Sequence, residues 1–221
     1  MGLKLSKQHF WKWFELNNKE FLQLSKKTKT DTTYWINEMV THLRAYGRYM
    51  SFSLEHDETI NTGVLTITSG GKSRFFKKID DFVAKAPLIN GWKIYALEQP
   101  CEIDLLLKEQ FPNTIIDPHD LWFSPDIHEM DGHPLDITVY STMYREDRDD
   151  SFESAVATII HNLLGERVFA LEMGIIEVAN RSSAEESTEL IRLQELPSYL
   201  GNRKSPIIVD SSGQIRDNMS D

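Results

Sequence analysis

Phe10, Trp11, Phe14, Phe21 and Leu22 fall three, four and seven residues apart with lysines between them, a spacing that predicts an amphipathic helix over residues 5–26. A polar break from Lys27 to Thr33 follows. Asp31 is the candidate N-cap of a second helix whose stripe is Ile36, Val40, Leu43, Gly47 and Met50. The period then drops to two. Phe52 and Leu54 alternate with polar residues, a turn falls at Asn61 to Gly63, and the β-branched run Val64 to Thr68 completes a hairpin.

Gly70 and Gly71 end that strand, and Ser73 is placed to cap a third helix that buries Phe76, Ile79, Val83 and Ala86 and stops at Pro87. Trp92 to Leu97 resumes a strand after Asn90-Gly91, which makes a β-α-β unit with parallel strands. A short helix at 101–110 rests on Ile103, Leu106 and Leu107. Leu121 to Ile127 and Leu135 to Thr142 read as a second hairpin about Asp131-Gly132. Asp150 with Glu153 resembles a capping box, opening a helix on Phe152, Val156, Ile159, Ile160 and Leu163 that ends at Gly165. Val168 to Val178 reads as a buried strand, and Ala184 to Leu196 as a last helix. No internal repeat is visible.

The expected fold is therefore α+β: a mixed β-sheet covered by helices, with an N-terminal helix pair followed by a β-α-β unit, a hairpin and a helix-strand unit. It is expected as a single domain over residues 1–200, followed by a loose Ser-, Asn-, Gly- and Asp-rich C-terminal tail at 201–221.

Composition narrows the class. With 40% hydrophobic and 26% charged residues among 221, the chain reads as globular rather than disordered or fibrous. One cysteine, Cys101, forms no internal disulfide and fits a reducing compartment. No apolar run approaches the roughly 20 residues of a membrane helix, and lysines interrupt the aromatic N-terminus where a signal peptide would be apolar throughout. A cytoplasmic, non-membrane protein is expected.

The net charge of −10 is unevenly placed. Residues 1–30 carry seven lysines against Glu15 and Glu20, whereas residues 98–150 carry fourteen acids against Lys108, Arg145 and Arg148, a local balance of −11. Such a field repels nucleic acid and favours a basic protein or a hard cation.

Several motifs approach catalytic patterns and miss. Ser69-Gly70-Gly71-Lys72-Ser73 follows a strand as a phosphate loop does, but Thr66 stands where the first glycine belongs. A capped tight turn explains it better. His128-Glu129-Met130-Asp131-Gly132-His133 resembles the zinc-protease pair, but its histidines are five apart rather than four. On a hairpin, His119, His128 and His133 remain an alternative metal set with Glu129 as base. Asp147, Asp149, Ser151 and Glu153 resemble a calcium loop, with Phe152 where glycine is required and Thr158 where glutamate is. Cys101 lacks a nucleophile signature, and the five tryptophans sit in apolar stripes. Glu166, just past Gly165, has no evident structural duty beyond bonding to backbone N–H groups of the turn.

Two segments, Val64 to Leu97 and Leu163-Leu164-Gly165-Glu166 with Gly174-Ile175-Ile176, resemble a widespread group of uncharacterised bacterial cytoplasmic α+β proteins that also begin with an aromatic-rich helix pair. The resemblance implies the fold and a bacterial cytoplasmic setting; it carries no established activity.

The expected function is that of a non-catalytic binding protein without a cofactor. Its acidic surface, Asp126, Glu129, Asp131, Glu146, Asp147, Asp149 and Asp150, would meet a basic protein, as an immunity protein meets a cationic toxin. The alternative is a metal-dependent hydrolase built on the 119–133 histidines and acids. A third reading is a regulatory domain sensing a small anion at Ser69 to Ser73. Exposed aromatics on the first helix offer a route to a homodimer.

Overall fold

The aromatic stripe near the N-terminus requires a surface to bury against, and a three-stranded sheet with two further helices provides it. The computed structural model describes residues 7–57, 59–101, 114–126, 133–145, 150–203, 208–209 and 215–216. The chain forms two compact units, Met1–Cys101 with Leu164–Leu171, and Glu102–Leu163 with Glu172–Asp221.

In the first unit, α1 (Lys7–Phe21) and α2 (Lys29–Arg44) precede β1 (Ser51–Asp57), β2 (Thr62–Thr68), α3 (Phe76–Val83) and β3 (Trp92–Ala96). The sheet order is β1-β2-β3, with β1 antiparallel and β3 parallel to β2. Phe10, Trp11, Phe14 and Phe21 of α1 are buried with Met39, Leu43, Leu65, Ile67, Ile79 and Phe82. Each such side chain contributes about 1.5–3 kcal/mol by leaving water. Trp11 also donates its indole N–H to the Phe82 carbonyl at 3.0 Å, so the ring is buried without an orphaned donor.

Two caps differ from expectation. Thr28, rather than Asp31, caps α2: its hydroxyl accepts the Asp31 N–H at 3.2 Å and donates to the Asp31 carboxylate at 2.7 Å. Ser73 does not cap α3 but begins a 3-10 turn, Ser73–Phe75, that leads into it.

The second unit contains β4 (Trp122–Pro125), β5 (Leu135–Ser141), β6 (Met173–Asn180) and β7 (Ile191–Arg192) in the order β6-β5-β4-β7. β4 pairs antiparallel with β5, and β5 parallel with β6. Strict alternation buries Leu135, Ile137, Val139 and Ser141 on one face of β5. Both units thus follow the path strand, antiparallel strand, helix, parallel strand, a topological repeat that has no counterpart in sequence identity.

The crossover to β6 is the helical segment α4 (Asp150–Glu172), two helices that meet at Gly165, where the first ends as expected. Gly165 interrupts it at φ 72°, ψ 161°, and the helix resumes through Glu172. The expected strand Val168 to Val178 is therefore helical in its first half; Leu171 is 49% and Ile175 64% exposed rather than buried. The last helix is α5 (Leu196–Arg203), and most of the Ala184 to Leu196 span is a turn, β7 and 3-10 structure instead. Pro197 explains the shift, because proline is tolerated in a first helical turn where its missing N–H has no partner to lose. Short strands β8 (Ile208–Val209) and β9 (Ile215–Arg216) pair within the 201–221 stretch. Among the described residues no helix is long and apolar enough to cross a membrane. The expected 101–110 helix, Cys101 apart, and the Asp131-Gly132 turn lie outside the described residues.

Candidate functional site

The most constrained polar group among the described residues is Glu166, whose surface is 1% exposed. Gly165 places it there. A Cβ at residue 165 would stand 2.8 Å from Pro100 Cδ and 2.9 Å from the Glu98 carbonyl, and the backbone at φ 72° is one that only glycine adopts without strain. The Glu166 N–H then donates to the Glu98 carbonyl at 2.9 Å.

Both carboxylate oxygens are spoken for. Oε1 accepts from the Gly71 N–H at 2.7 Å and the Ser69 N–H at 3.3 Å. Oε2 accepts from the Thr68 hydroxyl at 2.6 Å and the Glu98 N–H at 3.2 Å. Gly70 completes the turn by donating its N–H to the Thr68 hydroxyl at 2.9 Å. The N–H groups that a phosphate would need at Ser69 to Ser73 are thus turned onto an internal carboxylate, with Gly70 and Gly71 at φ 61° and 74°. Glu166 bonds to backbone N–H groups as expected, but to those of two distant segments rather than of its own turn. Saturated with donors and shut from solvent, it ties the end of β2 and the segment after β3 to one helix and presents nothing to a substrate.

The acidic candidates are only partly placed. Asp126 follows β4, exposed, and donates its N–H to the Asp136 carbonyl at 3.0 Å. Glu129, Asp131, Glu146, Asp147 and Asp149 lie outside the described residues, as does the side chain of Asp150, which opens α4. Other acids of the stretch have local work. Asp117 accepts the His119 N–H at 2.9 Å, Asp120 the Thr142 N–H at 3.1 Å, and Asp136 the Ile175 N–H at 2.5 Å. Just past the stretch, Glu153 accepts the Tyr144 hydroxyl at 3.0 Å.

Of the histidines, His119 is exposed in a 3-10 turn, Pro118–Asp120, and His133 is exposed before β5; His128 lies outside the described residues. No trio of His, Cys, Asp or Glu among the described residues is positioned to hold a metal ion. Cys101 is exposed, yet desolvation, with Glu55 and Glu98 nearby, raises its thiol pKa above the ordinary value. That suits neither a nucleophile nor a metal ligand.

Two features escaped the sequence reading. Trp122 is not a core residue: the guanidinium carbons of Arg181 and Arg192 lie 4.3 and 4.6 Å from its ring centroid. The cross-strand pairing Trp122 with Arg192 sets up one of these contacts, and strand pairing is not readable from composition. In the first unit, a groove of about 300 Å³ is lined by Phe21, Leu22, Leu24, Leu54, Glu55, His56 and Trp92.

Comparison with protein-family models, with curated proteins and with solved structures gives no match.

Proposed function

We propose that the protein is a non-catalytic cytoplasmic binding protein whose acidic 98–150 stretch engages a basic protein partner. An immunity-type inhibitor that masks a cationic toxin is a concrete version. The observation that carries the reading is the concentration of fourteen acids against three bases in that stretch. A field of one sign accelerates encounter with the opposite sign and disfavours nucleic acid. Asp126 supports it: exposed at the end of β4, it stands where the connection bearing Glu129 and Asp131 leaves the sheet. The donor-saturated Glu166 supports it too, since the most buried acid among the described residues serves packing rather than chemistry.

The test is affinity capture at low ionic strength from a lysate of the source organism, using wild type and a variant with Asp147→Lys, Asp149→Lys and Asp150→Lys. Wild type is expected to retain a basic protein that salt elutes, and the variant to lose it. Equal retention by both, or none by wild type, contradicts the proposal.

A further inference from the structure

Asn90 is the one asparagine in the chain that precedes a glycine. With Gly91 it turns the chain into β3: the Trp92 N–H donates to the Ile89 carbonyl at 3.1 Å, and Gly91 stands at φ 79°. A left-handed third residue inside such a bond marks a type II turn and calls for glycine. Both flanks are pinned. Ile89 is buried in the core of the first unit, and the Gly91 carbonyl accepts the Gly63 N–H at 2.8 Å beside the Gly63 to Trp92 strand pair.

Between those anchors Asn90 is exposed. Among the described residues neither its side-chain amide nor the Gly91 N–H makes a hydrogen bond, so neither has one to give up before the two groups react. Asn18, Asn61 and Asn180 are held differently. Asn18 accepts the Trp92 indole N–H at 3.2 Å, the Asn61 side-chain oxygen lies 3.2 Å from His56 Nε2, and Asn180 donates to the Tyr144 carbonyl at 2.7 Å. They precede Lys19, Thr62 and Arg181, whose side chains shield the backbone nitrogen that would attack, whereas Gly91 has no side chain.

We infer that Asn90-Gly91 is a self-modification site, at which the folded chain converts Asn90 to aspartate and isoaspartate. The Gly91 nitrogen, its proton lost to solvent base, attacks Cγ of Asn90. The N–Cγ bond forms, the Cγ–Nδ2 bond breaks, and ammonia leaves with a proton from water, closing a five-membered imide. Water then adds to one of the two ring carbonyls. Opening at the Cγ–N bond restores the ordinary main chain with an aspartate, and opening at the α-carbonyl leaves the main chain running through Cβ and Cγ. Water and base are the only co-reactants, and both products add one negative charge at a turn. In isoaspartate the main chain gains a methylene between pinned ends. Either the Trp92 to Ile89 bond or the Gly63 to Gly91 bond must lengthen, so β3 begins out of place against β2.

The test holds the full chain at mildly alkaline pH and follows it by tryptic digestion and mass spectrometry, because Lys85 and Lys93 bound a fragment 86–93 that isolates the site. That fragment is expected to gain about one mass unit as NH2 gives way to OH, and to separate into aspartyl and isoaspartyl forms. Its conversion should rise with pH and exceed that at every other asparagine by about tenfold or more. Asn90→Gln, which would need a six-membered ring, should stay intact. The isoaspartyl protein, separated by its added charge, should melt below freshly purified Asn90→Asp, which carries the same charge on an ordinary main chain. An unconverted Asn90 in the folded chain while the synthetic 86–93 peptide converts would overturn the inference, as would faster conversion at another asparagine. A purely aspartyl product or a rate indifferent to pH would rule out the imide, and equal melting of the isoaspartyl protein and Asn90→Asp would rule out the displacement of β3.

Discussion

Gly71 donates its backbone N–H to Oε1 of Glu166 at 2.7 Å, across 95 positions of sequence. That bond converts a glycine turn of phosphate-loop appearance into an internal tie. With Ser69 donating to the same oxygen and Glu98 and Thr68 to the other, no orientation of an amide at this position satisfies every donor. Glu166→Gln must face its NH2 toward at least one backbone N–H. The expected loss is about 1–3 kcal/mol of stability, read by urea denaturation. Thr68→Val removes a hydroxyl from the same cluster and should cost about 1 kcal/mol.

Gly165→Ala tests how Glu166 is delivered to its donors. The added methyl meets Pro100 and the Glu98 carbonyl within 3 Å at a φ of 72°. A destabilisation of about 3 kcal/mol or more is expected from strain and overpacking together. Because displacing residue 165 already breaks the Glu166 bonds, the double variant Gly165→Ala, Glu166→Gln should lose less than the two singles combined. Additive losses would show that the two residues act independently.

The imidazole of His42 stacks on Trp13 with ring centroids 4.1 Å apart, and burial pushes its pKa below 6.5 despite Glu38 at 3.9 Å. The folded state therefore holds its proton less tightly than the unfolded chain does. Stability from this group is present above pH 6.5 and declines as pH falls from there through the lowered folded value. Melting temperature should drop between neutral pH and about pH 5 in wild type, and less steeply in His42→Gln. A parallel decline in both proteins would assign the effect to other groups.

The Cys101 thiolate is disfavoured by desolvation and by Glu55 and Glu98. Alkylation by iodoacetamide should be slower at neutral pH than for a free cysteine, with its pH midpoint displaced upward. Glu98→Gln should move that midpoint down.

The elements legible in the sequence were those with local periodicity. The Phe10 to Phe21 stripe, the β1-β2 hairpin, the β2-α3-β3 crossover and the alternation of β5 all follow from side chains within one element, and the α+β class follows from their order. Gly165 ends the first helix of the crossover as its sequence context suggests, but the Glu-Arg-Val-Phe-Ala-Leu-Glu run after it has helix-forming residues enough to start a second helix where a strand was expected. The Glu166 tie could not be read from any window, since its partners lie at residues 68–71 and 98. The groove lined by Leu22, Leu54 and Trp92 depends on where the end of α1 meets the sheet, a tertiary fact.

Partner binding through concentrated negative charge makes a quantitative demand on the complex recovered by affinity capture: its dissociation constant must depend on salt. Calorimetric titration over increasing sodium chloride should show affinity falling steadily for wild type, and a shallower dependence for the chain carrying lysine at positions 147, 149 and 150. A dissociation constant indifferent to salt, or an identical dependence in both chains, would contradict the account.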